Sequence, residues 1–124
     1  MIHLDTNCMI GLVENQTLLQ PRAHAWFRAG EKFAMSAIAW SEFLNGPATS
    51  QQIADATGML ETRIIPFGRL EAELAARLFN RTGRKRGSQP DCFIAATAIC
   101  ARVPLATLNQ KDFLPFVAAG LSLA

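Results

Sequence analysis

The sequence predicts an α/β domain built on a central parallel sheet flanked by helices. Short apolar runs alternate along the chain with longer segments of helical periodicity, and strands that alternate with helices imply a parallel sheet covered on both faces. The 124 residues fit one domain spanning 1–124. No linker, internal repeat or low-complexity tract divides them.

The elements follow in order. Ile2-His3-Leu4 reads as a short strand ending at Asp5, with a helix beginning near Asn7. Pro21 to Ala29 reads as a helix with proline in its first turn and Trp26 and Phe27 on one side. Phe33-Ala34-Met35 is a second strand ending at Ser36; a helix follows it, with Trp40, Phe43 and Leu44 as its apolar stripe. Asn45-Gly46-Pro47 stops that helix. Ser50 is the expected N-cap of the next, and Thr62 to Pro66 is the third strand. Arg69 to Phe79 carries Leu70, Leu74 and Leu78 at i, i+4 and i+8. Arg81 to Gln89 is a basic, glycine-containing loop. Pro90 opens a helix through Ala101 that is apolar nearly all round, which implies burial. Pro104 to Thr107 is a fourth strand, Asn109 caps a last short helix, and Leu121-Ser122-Leu123 offers a terminal strand.

Composition narrows the classes of function. Half the residues are hydrophobic and 18% are charged, as in an ordinary globular protein. No apolar run reaches the ~18 residues of a spanning helix, and no signal peptide is evident. Cys8, Cys92 and Cys100 lack zinc-like spacing, so three reduced thiols in a cytoplasmic protein are expected, with Cys8 and Cys92 as buried small hydrophobes. A glycine-rich phosphate loop and a serine nucleophile elbow are both absent. Trp26 and Trp40 fall within helical apolar patterns and read as core residues.

The chain has only four aspartates, and Asp5, Asp91 and Asp112 stand at the ends of predicted elements, as Glu42 stands in the helix after the second strand. In open α/β sheets ligands gather at the carboxyl ends of strands. Each carboxylate also has a plain structural reading. Asp5 caps a helix, Glu42 is a solvated helix residue, Asp91 favours a helix dipole after Pro90, and Asp112 sits near a capping box with Asn109. Setting the four aside leaves six acidic residues against twelve Lys and Arg. An acidic pocket in a basic protein suits a polyanion whose reacting group meets a metal.

Four segments taken together carry a resemblance: Leu4-Asp5-Thr6-Asn7, Ser41-Glu42-Phe43, Asp91 to Ala98 (DCFIAATA) and Thr107 to Phe113 (TLNQKDF). In order and context they resemble the PIN-domain family, especially the VapC-like toxins of bacterial toxin–antitoxin pairs. The resemblance implies a PIN-like three-layer fold and a Mg²⁺- or Mn²⁺-dependent ribonuclease hydrolysing RNA phosphodiester bonds. It carries over Asp5, Glu42, Asp91 and Asp112 as the catalytic and metal-holding carboxylates, with Thr6 and Asn109 as supporting polar residues. It also implies a cognate antitoxin and a homodimer. Hard cations prefer oxygen ligands, and no Cys/His cluster is available for zinc. One ion or two remains open. Arg81, Arg84, Lys85 and Arg86 precede Asp91 and are candidate RNA contacts, although basic residues near a helix C-terminus need no ligand to explain them. Two other classes compete with the nuclease: a non-catalytic RNA- or partner-binding PIN domain, and a phosphatase with Asp5 as nucleophile. Asn7 stands where such a phosphatase wants a second acid.

Overall fold

The computed structural model describes all 124 residues. Four parallel strands, β1 (Ile2–Leu4), β2 (Phe33–Ser36), β3 (Ile64–Ile65) and β4 (Leu105–Ala106), lie in the order β3-β2-β1-β4. The register pairs His3 with Ala34 on one side and with Leu105 on the other, so β1 is interior. Every residue of β1, β2 and β4 is buried, as expected of strands covered on both faces.

Pairs of helices make the crossovers. α1 (Thr6–Val13) and α2 (Gln20–Arg28) join β1 to β2; α3 (Ala37–Asn45) and α4 (Ser50–Leu60) join β2 to β3. α5 (Arg69–Arg81) and α6 (Gln89–Ala101) then carry the chain past both to β4, on the far side of β1. The strand order therefore reverses between β1 and β4. That is where a doubly wound sheet opens a crevice at its carboxyl edge. α7 (Gln110–Phe113) and a 3-10 segment, Leu114–Ala119, follow. None of the helices is long and apolar enough to cross a membrane.

One cluster of 23 buried apolar residues runs from Ile2 to Leu121. α6 supplies five of them, Cys92, Ile94, Ala95, Ala96 and Ala98, as its nearly uniform apolarity requires. Its small side chains bring the neighbouring elements close. Phe93 on its flank meets Phe67 edge-on, with ring centroids 5.1 Å apart. Trp26 and Trp40 are partly buried against the core, Trp26 edge-on to Phe33 and Trp40 stacked on Phe43.

Several local expectations change. Leu44 is exposed, so the buried face of α3 rests on Ala39 and Phe43. Thr49, not Ser50, caps α4, because Gln52 three residues on closes a reciprocal capping box with it. Leu70 is 69% exposed, while Ala75 and Leu78 form the buried face of α5. β3 shrinks to two residues. Asn109 occupies the N-cap position of α7, but its side chain makes no cap hydrogen bond. The terminal strand reduces to a single parallel bridge between Leu105 and Leu123.

Candidate active site

Asp5 is the first residue beyond β1 and is buried. Its extended backbone makes it the N-cap of α1, and its Oδ1 accepts a 2.8 Å hydrogen bond from the Thr6 amide. The helix-cap reading of this residue is thus correct as local structure. The cap uses one oxygen only. Oδ2 accepts a 2.8 Å hydrogen bond from the buried hydroxyl of Thr107, just beyond β4.

A small polar lattice ties these two strand ends together. The Asn7 side-chain oxygen accepts from the Leu108 amide at 3.0 Å, and its Nδ2 reaches Thr107 Oγ1 at 3.5 Å. Thr107 Oγ1 also accepts from the Asn109 amide at 3.0 Å. Asn109 enters the lattice through its backbone, and its side chain is exposed. Neither Asn7 nor Thr107 is among the site residues the sequence predicts, although both lie in segments that carry the resemblance. Each is also a short polar residue within three positions of a strand end, and their meeting depends on β4 crossing to β1.

Glu42 projects from the second turn of α3 into solvent, and its Oε1 accepts a 2.8 Å hydrogen bond from the Thr6 hydroxyl. Thr6 therefore serves two carboxylates, Asp5 through its amide and Glu42 through its side chain. Asp91 lies half-buried in the first turn of α6, and Asp112 is exposed on α7.

The electrostatics show that the four sites are neighbours. Burial raises the Asp5 carboxyl above its ordinary value, against the Thr107 and Thr6 hydrogen bonds that lower it; the charges of Glu42 and Asp112 push it further up. Asp91 is pushed up to about 6, first by burial and then by repulsion from Asp5, Asp112 and Glu42, with Lys85 opposing. Every one of the four predicted carboxylates contributes to a single negative field. No three carboxylate, thiol or imidazole side chains converge at direct ligating distance. The arrangement fits a hydrated hard cation held by one or two carboxylates and its own waters, as Mg²⁺ prefers, rather than a closed cage.

Asp91 and Asp112 open onto a cavity of about 170 Å³ whose other wall is Lys85, Arg86, Gly87 and Ser88. The loop reaches there by turning through left-handed conformations at Gly83, Arg84 and Gly87. Of the four candidate RNA contacts, Lys85 and Arg86 thus face the carboxylates. Arg84 does not: its guanidinium lies 5.0 Å from the Phe79 ring centroid and hydrogen-bonds Asn80. Arg81 belongs to the last turn of α5 and is exposed.

Cys8 and Cys92 are fully buried, and burial pushes the Cys8 thiol up to about 12, which suits an inert packing residue. Cys100 is exposed and free.

Comparison with known proteins agrees with this architecture. Among solved structures, a toxin–antitoxin complex from Klebsiella pneumoniae contains a chain 30% identical, matched over 92% of this chain and 91% of its own, with a TM-score of 0.72. FitAcB from Neisseria gonorrhoeae is 25% identical over 99% of this chain and 96% of its own, with a TM-score of 0.69. VapBC-1 from nontypeable Haemophilus influenzae, 23% identical over 100% and 97% with a TM-score of 0.68, shares the fold. No curated protein matches the sequence. The family model described as PIN domain matches residues 2–114, nearly the whole of the chain that builds the sheet and the site. The chain belongs to the PIN-domain family.

Proposed function

We propose that this protein is a metal-dependent endoribonuclease, the toxin of a VapBC-type toxin–antitoxin pair. The observation that carries the reading is the shared field of Asp5, Glu42, Asp91 and Asp112 at the β1/β4 crevice, facing two unpaired cations of one loop. Such a field has no stabilising role in the empty protein, because clustered carboxylates repel one another. It fits a divalent cation, Mg²⁺ or Mn²⁺, and a phosphodiester.

In this reading Asp5 and Asp91 are the principal holders of the ion, with Glu42 and Asp112 completing the pocket. When bound, the cation supplies positive charge that activates water and neutralises phosphate oxygens. The chain's own groups do the positioning. Thr107 and Thr6 fix both oxygens of Asp5, and the Thr6 hydroxyl aims Glu42. Lys85 and Arg86 draw the RNA backbone toward Asp91 and Asp112. The Asn7 side chain is engaged by Leu108 and Thr107, so the phosphatase reading lacks its second acid.

The partner follows from similarity. The matched structures include a toxin–antitoxin complex and VapBC assemblies, and we extend that role to this chain as a cytoplasmic toxin held by a cognate antitoxin and forming a homodimer. Residues 1–124 act as one domain in this reading, supported by the single contiguous core.

The test is cleavage of a mixed RNA pool by purified protein with Mg²⁺ or Mn²⁺, with chelator, and with the Asp5→Asn variant. Cutting that needs the metal and is lost in the variant is the expected result. Cutting that survives either chelation or Asp5→Asn removes the metal-site assignment.

A further inference from the structure

A second cation-bearing cavity adjoins the site on the opposite side of α7. It is an open cavity of about 410 Å³ lined by Leu18, Arg22, Thr107, Leu108, Gln110 and Lys111. Thr107 connects it to Asp5, since the same residue that lines this cavity hydrogen-bonds the Asp5 carboxylate. Consecutive residues of α7 divide the two cavities: Lys111 faces this one, and Asp112 faces the one shared by Asp91, Lys85 and Arg86. Successive helical side chains point about 100° apart, which is why neighbours in sequence serve different walls.

Lys111 forms no ion pair, whereas Arg22 is engaged by the oxygen of Ala124, the last residue of the sequence. No side-chain carboxylate pairs with Arg22 or Lys111. Arg22 is nevertheless held in place. Its guanidinium donates to the backbone oxygen of Ala124 at 2.7 Å, reaches that of Thr107 at 3.5 Å, and lies 5.0 Å from the Trp26 ring centroid. A guanidinium anchored on one edge and against a ring keeps donors free on its remaining edge. Lys111 is exposed and lines the same cavity.

We infer that the Arg22/Lys111 cavity binds a backbone phosphate of the polynucleotide, flanking the reacting phosphate on the side opposite Lys85 and Arg86. The inference rests on the ribonuclease reading and adds a direction to it. The strand runs from the Lys85/Arg86 wall across the acidic crevice, past α7, to Arg22 and Lys111. Positive charges then lie on both flanks of a negative centre, an arrangement that binds a polyanion through its ends while leaving its middle to the ion. It also makes Lys111 and Arg22 contributors to affinity for longer strands, with no part in the chemistry.

The experiment is fluorescence anisotropy of a labelled mixed-sequence single-stranded RNA of roughly 12 nucleotides, within the range one small domain covers. It is run in chelator, across a salt series, on the full chain. Lys111→Gln should weaken binding and reduce the magnitude of the salt slope by about 0.7, the value for one lost phosphate contact on a single strand. Combining it with Lys85→Gln should remove about 1.4, because the two contacts lie on separate phosphates. Arg22→Gln should act like Lys111→Gln, and Arg22→Lys should restore the slope. An unchanged affinity and slope in Lys111→Gln, with Lys85→Gln still weakening binding, overturns the second phosphate site and leaves the ribonuclease reading standing. No binding by the unmodified chain overturns both.

Discussion

The Thr107 hydroxyl donates a 2.8 Å hydrogen bond to Asp5 Oδ2 across 102 residues of sequence. The bond joins the carboxyl ends of β1 and β4, the two strands between which the sheet reverses its order. It performs two tasks at once. It satisfies a buried carboxylate oxygen, and with the Thr6 amide on the other oxygen it fixes the plane of the carboxylate. A residue that orients a metal-holding group typically contributes 10–100-fold to metal affinity.

Thr107→Val keeps the shape and β-branching of the side chain and removes only the hydroxyl. The Asp5 carboxyl should rise further, since the Thr107 bond is the largest influence lowering it. Affinity for Mg²⁺ or Mn²⁺ should fall by roughly 10–100-fold, read by calorimetric titration. The fold should lose about 1–3 kcal/mol, because Asp5 keeps a buried oxygen without a partner. Metal affinity equal to that of the unmodified protein would show that Thr107 is structural only.

Asp91 gives a prediction about pH in the metal-free protein. Its carboxyl is raised to about 6 from an ordinary 3.8, so the folded chain keeps a proton that the unfolded chain has already released. That favours the folded state at low pH and is lost as pH rises from about 4 to about 6. Asp91 sits in the first turn of α6, where the helix dipole favours its charge. Burial and the three neighbouring carboxylates act against that preference and raise the carboxyl. Asp91→Asn should therefore stabilise the chelated protein at about pH 8, by on the order of 1 kcal/mol once the half-exposure of the group is allowed for. The gain should vanish below about pH 4. His3 works in the opposite sense. Burial lowers it from 6.5 to about 4, so the unfolded chain takes up a proton that the folded chain refuses, and stability falls as pH drops through that window. Asp91→Asn should leave this decline uncompensated. Urea denaturation in chelator at about pH 5 and about pH 8 measures both effects. A variant less stable than its parent at the higher pH would contradict the repulsion argument.

The sequence was most informative where a single element explains itself. Asp5 at the end of an apolar triplet and Asp91 after Pro90 are positions that local rules place at element ends, and the structure keeps them there. The basic loop and the buried character of α6 were also legible. What sequence could not provide was contact between distant strand ends. Thr107 and Asn7 are ordinary residues until β4 is known to lie against β1. Periodicity misled at Leu70, because residues spaced by four drift about 40° per step around a helix of 3.6 residues per turn. Leu70 and Leu78 therefore cannot share the centre of one narrow buried face. At Thr49 the capping box with Gln52 was readable, but Ser50 offered an equally good cap by residue type.

The loop before α6 supplies the sharpest separation between neighbours in sequence. Arg84, Lys85 and Arg86 are equal in charge, so a general electrostatic attraction to RNA would weaken equally on loss of any one. Geometry divides them. Lys85 and Arg86 line the cavity with Asp91 and Asp112, and Lys85 is close enough to lower the Asp91 carboxyl. The Arg84 guanidinium is turned onto Phe79 and Asn80 by a left-handed backbone. Lys85→Gln and Arg86→Gln should each reduce the RNA-binding salt slope by about 0.7, and Arg84→Gln should leave it nearly unchanged. Lys85→Gln should in addition raise the Asp91 carboxyl, a shift that carbon-13 detected NMR titration of the side chain reads directly. Equal loss of slope at all three positions would mean that the loop acts as a diffuse charge, with its phosphate contacts unrelated to the cavity.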